Sequence, residues 1–183
     1  MIRNMKSVVL ALALASTCAY AADTVWVGGM QMYPQKDIIE NAMNSGDHKT
    51  LVAAVKAADL VTTLKGDGPF TVFAPTDEAF AKLPAGTVDM LVKPENKAML
   101  TKILTYHVVA GKLDYKALAK LIKSGGGMAE LTTVQGGKLT AMMNGDHNIA
   151  LKDEKGNVAN ISIYDVYQSN GVIQVIDSVL MPE

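Results

Sequence analysis

The pair Tyr106-His107 contains the residue types in this sequence that are best suited to recognition or proton transfer. His107 follows apolar residues at helical spacing, so we expect it on the buried stripe of a helix formed with Met99, Leu100, Ile103 and Leu104. It is either a recognition residue or a core histidine paired with backbone groups, and the spacing favours the core interpretation. Tyr106 points away from the centre of the stripe. We expect it to be more accessible and the better partner-binding candidate.

The sequence offers little that could act as a nucleophile with a positioned base. Cys18 is the one cysteine, no G-x-S-x-G motif occurs, and the three histidines have no recognisable catalytic context. The acidic pairs Asp77-Glu78 and Asp153-Glu154 are typical of a helix start and of a turn. We therefore predict that the protein is not an enzyme, and a hydrolase is a third hypothesis.

Metal binding is suggested only by methionines. Thioethers can hold Cu(I) in an exported protein, and the candidates are Met30, Met32, Met142 and Met143, with His147 close to the last two. Methionine is more often an adaptable core residue. The acidic turn at Asp153 lacks the alternating oxygen ligands of a calcium loop. We predict no metal site and no cofactor, and keep copper binding as an alternative.

Residues 1–21 are predicted to be a signal peptide. Arg3 and Lys6 precede a short apolar run, and Ala19-Tyr20-Ala21 has the small-x-small pattern of a cleavage site. Cys18 leaves with this leader, so we expect a secreted or periplasmic protein without disulfides. No later apolar run is long enough for a transmembrane segment.

Charge argues against nucleic acid as a partner. Removing Arg3 and Lys6 from the 17 basic residues leaves 15 against 18 acidic ones, a net charge of −3. Arg3 is the sole arginine, whereas nucleic-acid binding usually relies on a basic face and on arginine forks.

The element that must organise these candidates is the stretch from Gly68 to Phe80. Phe70 and Val72 fall on one face of an extended segment and Thr71 and Phe73 on the other, which predicts a strand buried on both faces. Pro75 should end the strand pairing, and Thr76 or Asp77 can then cap a helix.

Elsewhere the sequence predicts helices in the first half and an antiparallel meander in the second, which makes an α+β domain. Residues 22–46 should form an extended arm and a short helix beginning near Pro34, and residues 47–183 the domain itself. We expect Asp47 to cap the next helix. Gly136-Gly137 predicts a two-residue hairpin between strands 131–135 and 138–142.

Three motifs resemble the signatures of fasciclin-like domains, a family of secreted adhesion modules. They are Gly68–Phe80 (GPFTVFAPTDEAF), Thr105–Val109 (TYHVV) and Asn170–Asp177 (NGVIQVID). The resemblance runs from about His48 to Pro182. It implies a β-wedge or sandwich with several helices packed along one side. It also implies that the Tyr106-His107 region binds partners.

Together these features predict an exported, non-enzymatic interaction module. We expect it to act in cell adhesion or in association with the extracellular matrix or cell envelope, through a protein or glycan partner. The alternative is a periplasmic small-ligand or copper-binding stress protein.

Overall fold

The computed structural model describes residues 24–183. The predicted signal peptide, residues 1–21, lies outside the described residues. Within them the helices are α1 (Ile38–Asn44), α2 (Lys49–Ala57), α3 (Val61–Leu64), α4 (Asp77–Ala81), α5 (Thr87–Leu91), α6 (Lys97–Tyr106) and α7 (Tyr115–Ser124). The strands are β1 (Trp26–Val27), β2 (Met30–Gln31), β3 (Phe70–Pro75), β4 (Val108–Ala110), β5 (Met128–Thr132), β6 (Lys138–Asn144), β7 (Asn148–Lys152), β8 (Val158–Gln168) and β9 (Gly171–Ile176).

Seven of these strands form one sheet in the order β4-β3-β9-β8-β7-β6-β5. Strands β5 to β9 pair antiparallel in sequence order, which confirms the predicted meander. Strand β3 lies inside the sheet, antiparallel to β4 and parallel to β9. A further bridge joins Val109 to Thr133, so the sheet curls until its two ends nearly meet. The α+β class is therefore confirmed.

Strand β3 separates two apolar cores, as its alternating sequence predicted. Val72 and Ala74 belong to the helix-side core, which lies between the sheet and helices α1, α2 and α6. Phe73 belongs to the sheet-side core inside the curled meander, where α7 also packs. Thr71 is also buried. Its hydroxyl is fully paired there, since it donates to the Gly111 carbonyl at 2.6 Å and accepts the Leu113 N–H at 2.8 Å. Phe70, the first residue of the strand, is only half-buried.

The N-terminal region is more ordered than an extended arm. Gly28 and Gly29 adopt positive φ angles of 57° and 72° and form a two-residue turn between β1 and β2. Val27 and Met32 of this hairpin region enter the helix-side core. Helix α1 starts at Ile38 rather than near Pro34, because Asp37 and Glu40 form a capping box there. Met99, which its spacing placed on the apolar stripe with Leu100 and Ile103, is exposed, and so is Met43 of α1.

Two local predictions were wrong, one of a turn and one of a helix cap. The connection between β5 and β6 has five residues, 133–137, because Thr132 pairs with Lys138. Thr133 closes it by donating its N–H to the Gly137 carbonyl at 2.9 Å. Asp47 does not cap α2, whose N-cap residue is His48.

Among residues 24–183, no helix combines the length and the apolar composition that a membrane span requires.

Helix α2 is capped instead by a residue from the central motif. The Asp77 carboxylate accepts the N–H of Thr50 at 2.8 Å and that of Lys49 at 3.4 Å. Thr76 caps α4 through the Ala79 N–H at 3.2 Å, as predicted. Burial opposes ionisation of Asp77, but the Thr50 and Lys49 N–H groups lower its pKa below the usual range. The segment after β3 thus starts two helices.

Replacing Asp77 with alanine should lower the free energy of unfolding by about 1 to 2 kcal/mol, because α2 loses its cap. Asp47→Ala is the matched control, and it should change stability by less than about 0.5 kcal/mol. Urea unfolding followed by circular dichroism measures both. Equal losses in the two variants would contradict the assignment of the cap to Asp77.

Candidate functional site

His107 is a core residue at the junction of α6 and β4. Its Nδ1 lies 2.8 Å from the Ile103 carbonyl, and its Nε2 accepts the Leu180 N–H at 3.0 Å. Because Nε2 accepts, the ring proton sits on Nδ1 and is donated to Ile103. The neutral imidazole therefore ties the end of α6 to the C-terminal segment. The expectation that its ring nitrogens pair with backbone groups is confirmed.

The environment of His107 opposes its protonation. Burial lowers its pKa from the ordinary 6.5 to about 4, although the Ile103 carbonyl and Asp153 act in the opposite direction. The imidazole is therefore neutral at physiological pH, and a general-acid role there has no support.

Tyr106 is fully buried, so the expectation that it is the more accessible member of the pair was wrong. Its hydroxyl donates to the Lys138 carbonyl at 2.6 Å and accepts the Glu154 N–H at 3.1 Å. Burial raises the pKa of Tyr106 to about 12. The ring lies inside the curled sheet because β6 and β7 pass over it. A helical register within residues 97–106 could not show this, since those strands come more than 30 residues later.

The Tyr106 hydroxyl joins the surface turn 153–157, through Glu154, to Lys138, the first residue of β6, which directly follows the turn 133–137. We call Lys138, these two turns and Glu183 the Tyr106 platform. The Glu154 carboxylate accepts the N–H of Lys138 at 2.9 Å and that of Glu183 at 3.2 Å. These two N–H groups lower the pKa of Glu154, which keeps the carboxylate charged. Each part of the platform is therefore fixed to another by hydrogen bonds.

Gly137 lets the first turn lie directly on the tyrosine. A Cβ atom at this position would come within 2.9 Å of the Tyr106 ring and 2.7 Å of the Gln135 side chain. The buried Asp153 supports the second turn, since it accepts the N–H of Asn157 at 2.7 Å and that of Met181 at 2.9 Å. The sequence marked both places as turns but gave no sign that they share one tyrosine.

Val134 gives the platform an exposed apolar side chain, with 49% of its surface accessible. Its own N–H donates to the Val108 carbonyl at 2.7 Å, which holds the turn against β4. Tyr106 therefore supports this surface from below, and the side chains available to a partner are those of the turns. The His107 ring bonds instead to Ile103 and Leu180.

A second histidine, His48, was not singled out by the sequence. Its Nδ1 lies 2.8 Å from the Ser45 hydroxyl, which also accepts the Asp47 N–H at 3.3 Å. The Ser45 hydroxyl donates to no other group among residues 24–183, which favours donation to Nδ1 and a ring proton on Nε2. That nitrogen is buried and has no hydrogen-bond partner among the described residues. Burial lowers the pKa of His48, so the ring is neutral.

The methionines proposed as copper ligands lie in different parts of the fold. Met30 and Met32 belong to the N-terminal hairpin region, and Met142 and Met143 to β6. Met32 packs in the helix-side core and Met143 against the sheet-side core. In residues 24–183, no three His, Cys, Asp or Glu side chains are grouped as metal ligands.

Comparison with known proteins gives one family. The model of the fasciclin domain matches residues 46–182. The chain is 50% identical over 147 residues to Protein sll1483 of Synechocystis sp., covering 79% of this chain and 73% of that protein. It is 36% identical to the immunogenic protein MPB70 of Mycobacterium bovis, covering 88% and 77% of the two chains.

Two further comparisons carry a description of location or fold. The cell surface glycolipoprotein MPB83 of Mycobacterium bovis is 37% identical, over 85% of this chain and 64% of that one. Among solved structures, a domain pair from the insect cell adhesion molecule Fasciclin I matches with a TM-score of 0.71 at 20% identity. That match covers 81% of this chain and 51% of the insect chain, and it supports the fold alone.

Tyr106→Phe should lower the free energy of unfolding by about 1 to 3 kcal/mol, because the Glu154 N–H and the Lys138 carbonyl lose a buried partner. Tyr33→Phe removes an exposed hydroxyl and should cost less than about 0.5 kcal/mol. Thermal and urea unfolding of both variants measure the difference. Two small and equal effects would show that the hydroxyl does not hold the turns.

Stability should fall as the pH drops from about 6.5 to 4, because the unfolded chain binds the His107 proton and the folded chain does not. The loss over this window is roughly 3 kcal/mol, since a tenfold change in proton affinity is worth about 1.4 kcal/mol. Gln has a donor and an acceptor like the neutral ring, so His107→Gln should flatten the profile. His147→Gln, at an exposed position, should leave it steep. Urea unfolding at stepped pH tests this, and parallel profiles would contradict it.

Proposed function

Because the chain belongs to the fasciclin domain family, we propose that it is an exported, non-enzymatic interaction module that binds a protein or glycan surface. Its role would be cell adhesion or association with the extracellular matrix or envelope. The name of one similar protein, a cell surface glycolipoprotein, supports this. A secreted or periplasmic location is part of the proposal and depends on cleavage of residues 1–21.

We place the partner-binding surface on the Tyr106 platform. The observation that carries this choice is the Tyr106 hydroxyl, which bonds to Glu154 in the second turn and to Lys138 next to the first, and so restrains the two turns relative to each other. A preorganised surface loses less conformational entropy on binding than a mobile one. The partner-binding role predicted for Tyr106 and His107 stays a prediction. In this form Tyr106 acts by restraining the turns of the platform, and His107 by tying the end of α6 to Leu180.

A second surface, on helix α7, provides a way to test whether the partner is a glycan or a protein. Helix α7 exposes three lysines on its outer side, Lys116, Lys120 and Lys123. None of them forms an ion pair with another residue in 24–183. If the partner is an anionic glycan, attachment should depend on these charges and weaken with salt. If it is a protein surface, the apolar Val134 should matter more.

The alternative function, a periplasmic small-ligand or copper-binding stress protein, draws its support from different features. The separation of Met30 and Met32 from β6 does not favour a single copper site built from all four methionines. Equilibrium dialysis with Cu(I) tests that version directly. Stoichiometric binding that is lost in Met30→Leu would favour it over adhesion.

The test is surface attachment of cells that lack the gene and are complemented with variants of the full chain. Val134→Asp should reduce attachment at least fivefold, because a charge at an interface must be desolvated. Met90→Asp is the matched control, since Met90 is exposed to a similar degree, 47% against 49%, but lies on α5. It should leave attachment unchanged.

The double variant Lys116→Glu and Lys120→Glu tests the glycan version in the same assay. Attachment that is unaffected by deletion of the gene would refute the proposal. Equal effects of Val134→Asp and Met90→Asp would remove the platform as the binding surface. A pull-down from the native cell envelope, comparing wild type with Val134→Asp, then identifies the partner.

A further inference from the structure

A concavity lies between the sheet and helices α1, α2 and α3, on the helix side of β3. Its empty space is about 750 Å³ when the mouth open to solvent is included, and about 40 Å³ of this has room for whole water-sized groups. The enclosed part has room for about three water-sized groups, since each needs about 10 to 15 Å³. A longer molecule must therefore extend from this part into the open mouth.

Helix α2 turns one complete face towards this space. The residues that line it recur at spacings of three and four, and they are His48, Leu51, Val52, Val55 and Lys56. At 1.5 Å per residue the stripe is about 12 Å long. His48 marks one end and Lys56 the other. The lining of the cavity thus runs along the helix rather than around a single point.

The opposite wall is apolar. Val72 of β3 and Ile173 and Val175 of β9 line it from the sheet. A cavity with such walls does not hold water well, because water needs two or more polar partners. Any molecule that fills the space must therefore be largely apolar.

The lining includes a few buried polar side chains; those of Asn41 and His107 are hydrogen-bonded, whereas one atom of His48 is not. His48 is only 3% exposed, and its Nε2 has no partner among the described residues. The ring lies near the backbone of Ala74, but Nε2 makes no hydrogen bond of normal geometry with it. Since Ser45 occupies Nδ1, Nε2 carries a proton that it can donate. Buried donors are normally paired, so this one points to a missing acceptor.

The position of His48 also restricts the charge of that acceptor. The mouth of the cavity is formed by half-buried Ala42, Val52 and Val61 and by exposed Lys56, whereas His48 lies in the interior. A carboxylate or ammonium group would have to lose its hydration to reach Nε2, which is far more costly than burying a carbonyl. The Lys56 stem can cover the mouth while its ammonium group stays in water.

We propose that this cavity binds a slim, neutral, apolar molecule with one hydrogen-bond acceptor, such as an aliphatic ketone or alcohol, whose oxygen accepts the proton of His48 Nε2. This site goes beyond the proposed adhesion function and does not depend on it. The cavity lies on the helix side of β3, whereas the Tyr106 platform covers the sheet side, so either function can fail alone.

Methyl-resolved NMR titration of the full mature chain with 2-octanone tests the site. Saturable shifts should appear at the methyl groups of Leu51, Val55 and Ile173, which line the cavity. The methyl groups of Leu139 and Ile149 in the sheet-side core should not move and serve as an internal reference. Octanoate and octylammonium should bind at least tenfold more weakly than 2-octanone, because both are charged.

Matched substitutions separate the cavity from unspecific binding. Ala42→Phe fills the mouth and should weaken 2-octanone binding at least tenfold, whereas Ala53→Phe adds the same side chain on the exposed face of α2 and should change it less than twofold. Val52→Phe is a second occluding variant should Ala42→Phe not fold. No saturable shift, shifts spread equally to Leu139 and Ile149, or octanoate binding as tightly as 2-octanone would each overturn the proposal.

Discussion

The strand pairing of β3 is the constraint on which the rest of the fold depends. Strand β9 pairs with residues 70–75 and β4 with residues 70–72, so the first half of β3 has strand partners on both sides. Both faces are then free only for packing, so β3 contributes to two cores. The close approach of β9 requires Gly171, where a Cβ atom would lie 2.1 Å from the Phe70 carbonyl oxygen. One short strand thereby connects the helices to the curled meander.

Features that depend on neighbouring residues could be predicted from the sequence. The alternation of Phe70 to Phe73 places bulk on both faces of a strand, and Thr76 caps the helix that follows within three residues. His107 is also a local case, because its ring bonds to the carbonyl of Ile103 one turn earlier on the same helix. Such contacts follow from the periods of helix and strand, which sequence patterns report directly.

Features that depend on distant segments could not be predicted from the sequence. Asp77 caps α2 across 27 residues, and nothing in the local pattern around Asp47 or His48 shows that the cap is already supplied. Tyr106 looked accessible because helix periodicity describes only one helix, whereas its burial is decided by β6 and β7. The five-residue turn at 133–137 is a further case, since Gly137 at its end lies against the ring of Tyr106, which is about 30 residues away in the chain. The unpartnered nitrogen of His48 likewise depends on how far α2 stands from the sheet.

The two sides of β3 differ in how their polar groups are used, and this difference bears on function. On the sheet side, the buried hydroxyl of Tyr106 is fully paired with backbone groups of Lys138 and Glu154, so a core residue helps to determine the shape of the platform. On the helix side, His48 is buried next to open space and one of its nitrogens remains without a partner. A paired buried group stabilises one arrangement, whereas an unpaired one is a cost that a ligand can offset. The same strand thus lies between a surface held by hydrogen bonds on one side and, on the other, the cavity that we propose as a ligand site.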